Sequence, residues 1–127
     1  MIVVAHPDDE VLWFSSVLED VDSIFTCFSE APGRESCTSG REAAIRNYPL
    51  SNMSNLGLTE ADAFDGACWQ DPIETEYGLS VSQRGLPDAA YKANFARLLD
   101  ELRPRLADRN NVFTHNPWGE YGHVEHV

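Results

Sequence analysis

At 127 residues, 43% of them hydrophobic, the chain has the size of one domain around one core and leaves little room for two. A formal net charge of −12, with nine Lys and Arg against 21 Asp and Glu, excludes the clustered basic footprint that a nucleic-acid partner requires. Cys27, Cys37 and Cys68 are odd in number, widely spaced and without a C-x-x-C pair. They signal neither a disulfide framework nor a cysteine zinc site, and point to a reducing, cytoplasmic setting. The apolar start "MIVVA" is too short for a signal-peptide core and has no basic residue ahead of it, and no stretch reaches the length of a transmembrane segment.

Ile2 to Ala5 is a continuous apolar run rich in β-branched residues, as expected of a strand buried on both faces of a parallel sheet. From Asp9 the period changes: Val11, Phe14, Val17, Leu18 and Val21 recur at helical spacing, with Pro7 at the entry and acids where the helix dipole favours them. "DSIFTCFSE", residues 22–30, returns to strand, and "APGRESCTSG" reads as a loop. "REAAIRNY", residues 41–48, predicts a short helix, "SNMSNLGL" reads as turn-rich, and a weak strand is expected near 61–64. Residues 65–83 have no clear period and read as a long loop of the kind that carries binding residues. Ala90, Tyr91, Phe95, Leu98, Leu99, Leu102 and Leu106 trace one face of a helix over 87–107, with Pro104 expected to distort or end it. "NNVFTH", residues 110–115, predicts a further strand, followed by the loop "NPWGEYG". Alternating strands and helices indicate an α/β fold, a Rossmann-like parallel sheet flanked by helices. In such sheets ligands bind beyond the carboxyl ends of the strands, where strand order reverses. "HPDDE" and "NPWGEYGHVEH" both follow strands and can reach one crevice.

The histidines carry the chemical signal. His6 lies in "AHPDDE", His123 and His126 form an H-x-x-H, and His115 stands eight residues before His123. A catalytic zinc site takes about three protein donors and keeps one position for water. His6 and Asp9, spaced H-x-x-D at a strand-to-helix turn, can aim at one point, and a distant histidine completes the set. Asp8 would point differently along the turn and can take a proton from water activated by the ion. Taken alone, Asp8 to Glu10 also suit a helix N-terminus with His6 on the surface, and "HVEH" suits a solvated polar turn. Their joint placement at strand ends favours a shared metal site. His115, at the end of a strand, reads as a hydrogen-bonded structural histidine and falls outside that site.

"AHPDDE" at 5–10 with "GEYGHVEH" at 119–126 resembles the LmbE-like (PIG-L) family of zinc-dependent de-N-acetylases. The resemblance implies His6, Asp9 and His126 as zinc ligands, with iron or another divalent ion as alternatives, and Asp8 as general base. It implies that His123 stabilises the oxyanion or helps protonate the leaving amine, and that Tyr121 polarises the amide carbonyl. Arg41 matches an arginine near the substrate, though pairing with Glu42 or Glu35 explains it equally well. Glu10 and Glu125 fall to contacts that hold the ligands in place, or, for Glu10, to the helix N-terminus. The family's second motif commonly reads H-P-D-H, so Val124 and Glu125 depart from it where His123 is oriented. Trp69 and Trp118 can pack on a sugar ring, or serve the core and loops instead. Family members usually continue for many tens of residues past the H-x-x-H, so the resemblance implies one domain whose N-terminal part is residues 1–127.

The function so implied is removal of an N-acetyl group from an N-acetylglucosamine-type sugar or related small conjugate. Two rivals stay open: a metal-dependent hydrolase of another ester or a phosphate substrate, and a non-catalytic carbohydrate-binding fragment. Homo-oligomerisation is left open as well.

Overall fold

The computed structural model describes residues 1–61, 73–75, 78–80, 88–117, 119 and 123–126. Strands β1 (Ile2–Val4), β2 (Ile24–Glu30) and β3 (Met53–Thr59) form a parallel sheet in the order β1-β2-β3. Ile2 stands opposite Ile24, and Ile24 opposite Met53. On the other edge of β1, Ile2 bridges Phe113 in parallel. Val3 N–H donates to the Phe113 carbonyl at 2.9 Å and Phe113 N–H to the Met1 carbonyl at 3.0 Å. The chain therefore builds outward from β1 to β3 and then returns to the opposite side of β1. Strand order reverses between β1 and Phe113, the position at which α/β sheets place their ligands.

Alternation along the strands separates two apolar layers. Ile2, Val4 and Ile24 pack against Phe14, Val17, Leu18 and Val21, and against Tyr48, Leu50 and Met53. Val3, Ala5, Cys27, Phe28 and Leu58 face the other way, onto Leu98, Leu102 and Leu106 of helix α3 (Asp88–Leu106). Helices thus flank a parallel sheet, the α/β architecture expected from the alternating pattern. Among the described residues no helix is long and apolar enough to cross a membrane.

Several elements differ from expectation. The first helical run is split into helix α1 (Asp9–Phe14) and a 3-10 segment, Ser15–Asp20, and Val11 is 52% exposed rather than on the packed face. Helix α2 spans Glu35–Arg46, so the segment read as a loop is half helix and Arg41 sits mid-helix. Its weak helix formers are held from outside: Thr38 Oγ1 accepts the Ala31 N–H at 3.0 Å. The turn-rich "SNMSNLGL" is a turn only at Ser51 and Asn52 and is β3 from Met53. Its Asn and Gly serve a local irregularity, with Asn55 Oδ1 accepting the Gly57 N–H at 2.7 Å and Gly57 at φ +65°, a conformation glycine adopts without strain. Asn55 Nδ2 also donates to Thr26 Oγ1 at 2.7 Å, tying the irregularity to β2. Part of the expected long loop is an antiparallel pair, β4 (Ile73–Thr75) and β5 (Gly78–Ser80). The strand expected over 110–115 reduces to the single bridge at Phe113. Ala61 lies outside any strand, and 62–64 fall outside the described residues. Pro104 lies inside α3, which runs on to Leu106.

Candidate metal centre

β1 ends at Val4, and the next four residues turn the chain into α1. Ala5 is anchored to β2, its carbonyl accepting the Cys27 N–H at 3.0 Å and the Phe28 N–H at 2.8 Å. His6 N–H donates to Asp9 Oδ2 at 2.7 Å, folding the turn so that both side chains point inward. His6 and Asp9 are 3% and 1% exposed. The H-x-x-H arrives from the far end of the chain as a 3-10 turn, Val124–His126, and brings His126 Nε2 to 3.2 Å from His6 Nδ1 and 3.4 Å from Asp9 Oδ2. His6 Nδ1 lies 3.3 Å from Asp9 Oδ2. These three atoms form a nearly equilateral triangle. Donors about 2.0–2.1 Å from one tetrahedral ion lie about 3.3–3.4 Å apart, so the donor set fits a zinc-like ion with one open position.

A second group surrounds Glu60, just past the end of β3. Its carboxylate lies 2.8 Å from His6 Nε2 and 2.7 Å from Arg41 NH1, and it also pairs with Arg34 NH2. His6, Glu60 and His123 are close enough to form another potential ligand set. The two guanidinium groups on Glu60 disfavour a dication there, and its carboxylate stands behind the His6 imidazole on the side away from Asp9, a place carboxylates commonly take behind metal-binding imidazoles.

Electrostatics follow from this packing. Burial opposes ionisation of Asp9, but the hydrogen bonds it accepts from His6 and the charge of His126 hold its carboxyl well below the usual range. Burial likewise opposes charge on Glu60, yet His6 and Arg41 bring it down to about 2. Burial lowers His6, while its contacts with Asp9 and Glu60 outweigh this and raise it. His123 drops to about 3, through burial and the neighbouring His6 and His126.

Of the residues singled out in the sequence, His6, Asp9, His123 and His126 come together, and Arg41 reaches them through Glu60. The His6 ring lies 4.7 Å from that of His123, centroid to centroid. Asp8 is exposed at the mouth of the turn, and none of these buried contacts involves its carboxylate. Glu10 is buried away from the histidines, accepting the Asp8 N–H at 3.1 Å and a hydrogen bond from Tyr48. Glu125 bonds to β3's exit, its Oε1 accepting the Ala61 N–H at 2.6 Å, while its own N–H donates to His123 Nδ1 at 3.2 Å. Tyr121, Trp69 and Trp118 lie outside the described residues.

Two residues of the site, Glu60 and Arg34, have no spacing signal in the sequence pattern, and a third, His115, lies closer to the ligands than its place in the sequence suggests. Glu60 and Arg34 follow β3 and β2, and a reading that recognised β3 would have placed Glu60 at a strand's carboxyl end. His115, set aside as structural, has its Nε2 3.3 Å from Asp9 Oδ2 and stacks on His126. A cavity of about 550 Å³ between the sheet and α3 reaches His115, Glu125 and His126.

No protein-family model and no solved structure matches the chain. Among curated proteins it is similar to the 1D-myo-inositol 2-acetamido-2-deoxy-alpha-D-glucopyranoside deacetylase of Corynebacterium diphtheriae. The two are 22% identical over 151 aligned positions, covering 98% of this chain and 47% of the relative. The chain thus spans about half the length of the curated relative it matches.

Proposed function

We propose that the chain is an LmbE-like (PIG-L) domain that removes an N-acetyl group from an N-acetylglucosamine-type conjugate with the help of zinc or another divalent ion. The observation that carries this is the triangle of His6 Nδ1, Asp9 Oδ2 and His126 Nε2. The similarity to a deacetylase named for an acetamido sugar joined to inositol supports the reaction class. An ion held there supplies Lewis-acid polarisation of the amide carbonyl and acidifies water.

The chain's own groups divide the remaining work. Glu60, ionised at neutral pH, faces His6 Nε2 and so leaves Nδ1 to serve as the donor. Asp8, at the exposed mouth, is the general base, able to meet water and substrate without leaving the turn that carries Asp9. His123 is neutral, and its Nδ1 accepts the Glu125 N–H, so its proton sits on Nε2. It therefore presents a donor to the carbonyl oxygen as charge develops, which favours oxyanion stabilisation over delivery of a proton to the amine. Tyr121 is assigned to the same oxygen. Arg41 and Arg34 lie at the side where the sugar or its substituent would enter.

Their convergence favours one second reading, hydrolysis of a phosphate ester, because two guanidinium groups are a natural phosphate contact. Glu60 already takes up one of those charges, which leaves the amide reading first. Zinc-loaded protein should be offered N-acetylglucosaminyl conjugates and phosphate esters, with free amine, acetate and phosphate quantified. Amine and acetate in equal amounts are expected, with Asp8→Ala abolishing both while zinc stays near one per chain. Phosphate release alone would transfer the site to the second reading, and turnover undiminished in Asp8→Ala would remove Asp8 from the mechanism.

A further inference from the structure

We infer that His115 is a positioning residue of the metal centre, locking together the two ligand-bearing segments that come from opposite ends of the chain. The inference rests on the metal reading above. The bridge at Phe113 sets up a parallel pairing in which Val3 N–H donates to the Phe113 carbonyl. Two residues on, a continued ladder would give the Ala5 N–H to the His115 carbonyl. The ring takes the carbonyl's place instead: Ala5 N–H donates to His115 Nε2 at 3.0 Å. Ala5 is the residue before His6, and its carbonyl is already held by β2, so His115 takes up the remaining backbone polar group of the residue that leads into the first ligand.

The same ring fixes the last ligand. His115 and His126 stack with centroids 3.9 Å apart and planes 19° from parallel. His115 Nε2 also stands 3.3 Å from Asp9 Oδ2, with the side chain 5% exposed. One imidazole thus touches the segments that carry His6, Asp9 and His126. The Nε2 lone pair is taken up by the Ala5 N–H, so the part of His115 is to hold ligands rather than to be one. The His126 turn is held elsewhere by Tyr91 donating to the Val124 carbonyl at 3.3 Å and by Glu125 on Ala61, contacts that leave the His126 ring itself to be set by its imidazole and carboxylate neighbours. Partners that orient metal ligands typically change affinity about 10–100-fold when removed.

The test is a cobalt(II) titration of the wild-type protein, His115→Ala and His115→Gln, read by visible absorption, with amide exchange at Ala5 followed in the metal-free proteins. His115→Ala should weaken cobalt binding at least about tenfold, dim the tetrahedral absorption and speed exchange at Ala5. His115→Gln offers an acceptor to Ala5 without a ring to stack, so Ala5 protection should return while the cobalt spectrum stays altered. Wild-type affinity and spectrum in His115→Ala would overturn the inference. Should His115→Ala fail to fold, a wild-type spectrum in folded His115→Gln would do the same. Absence of cobalt binding by the wild-type protein would instead sink the metal reading on which the inference rests.

Discussion

Glu60→Gln removes one charge at the point where β3, α2 and the His6 turn meet, while keeping the side chain's shape. The carboxyl falls from the 4.5 of an ordinary glutamate to about 2. At about 1.4 kcal/mol for each pH unit, ionised Glu60 contributes about 3 kcal/mol at neutral pH. Glu60 is 4% exposed and the Arg41 side chain 13%, so solvent screens this pairing weakly. The sign is that of a depressed acid: the contribution is complete above pH 4.5 and is lost as pH falls toward 2. At pH 3 about 1.5 kcal/mol of it should remain. Urea unfolding of wild type and Glu60→Gln at pH 7, 5, 4 and 3, extrapolated linearly, measures the gap. A loss of about 3 kcal/mol at pH 7 that roughly halves by pH 3 is expected. A gap below about 1 kcal/mol that ignores pH would refute the electrostatic role given to Glu60.

His123, held at about 3 by burial and the two histidines beside it, should show no ring titration between pH 5 and 8 by NMR. Because the unfolded ring takes up a proton that the folded one refuses, His123 makes stability rise with pH between about 3 and 6.5. A ring midpoint near 6.5 would contradict this. Leu58, fully buried between β3 and the α3 face, should cost about 2–5 kcal/mol when changed to Ala, measured by denaturant midpoint at unchanged slope. A cost under about 1 kcal/mol would mean that the layer beneath α3 is not packed as described.

What was legible in the sequence was whatever depended on local pattern. The apolar run at Ile2, the change of period at Asp9 and the leucine stripe of α3 each register within one element, and they yielded the α/β order. The carboxyl ends of β1 and of the Phe113 segment followed from that order, which is why His6 and His126 could be brought to one crevice. β3 was hidden because Asn55 and Gly57, which read as a turn, make a local side-chain turn inside a strand. With β3 lost, Glu60 had no address, and its pairing with Arg34 and Arg41 across 26 and 19 positions leaves no spacing to read. α2 began six residues early because contact with Ala31, not helix propensity, stabilises its first turn. His115 is hydrogen-bonded, as read from the sequence, but its partner was not legible for a related reason: the bond to Ala5 spans 110 positions and replaces a backbone contact that no side-chain pattern announces.

The central claim is that His6, Asp9 and His126 hold one divalent ion, and zinc-edge X-ray absorption on the protein carrying one equivalent of zinc tests it most directly. The expected first shell is nitrogen and oxygen only, at about 2.0–2.1 Å, with the outer-shell scattering of two imidazoles. A sulfur contribution at about 2.3 Å, pointing to one of the three cysteines, or a shell of water oxygens alone, would contradict it.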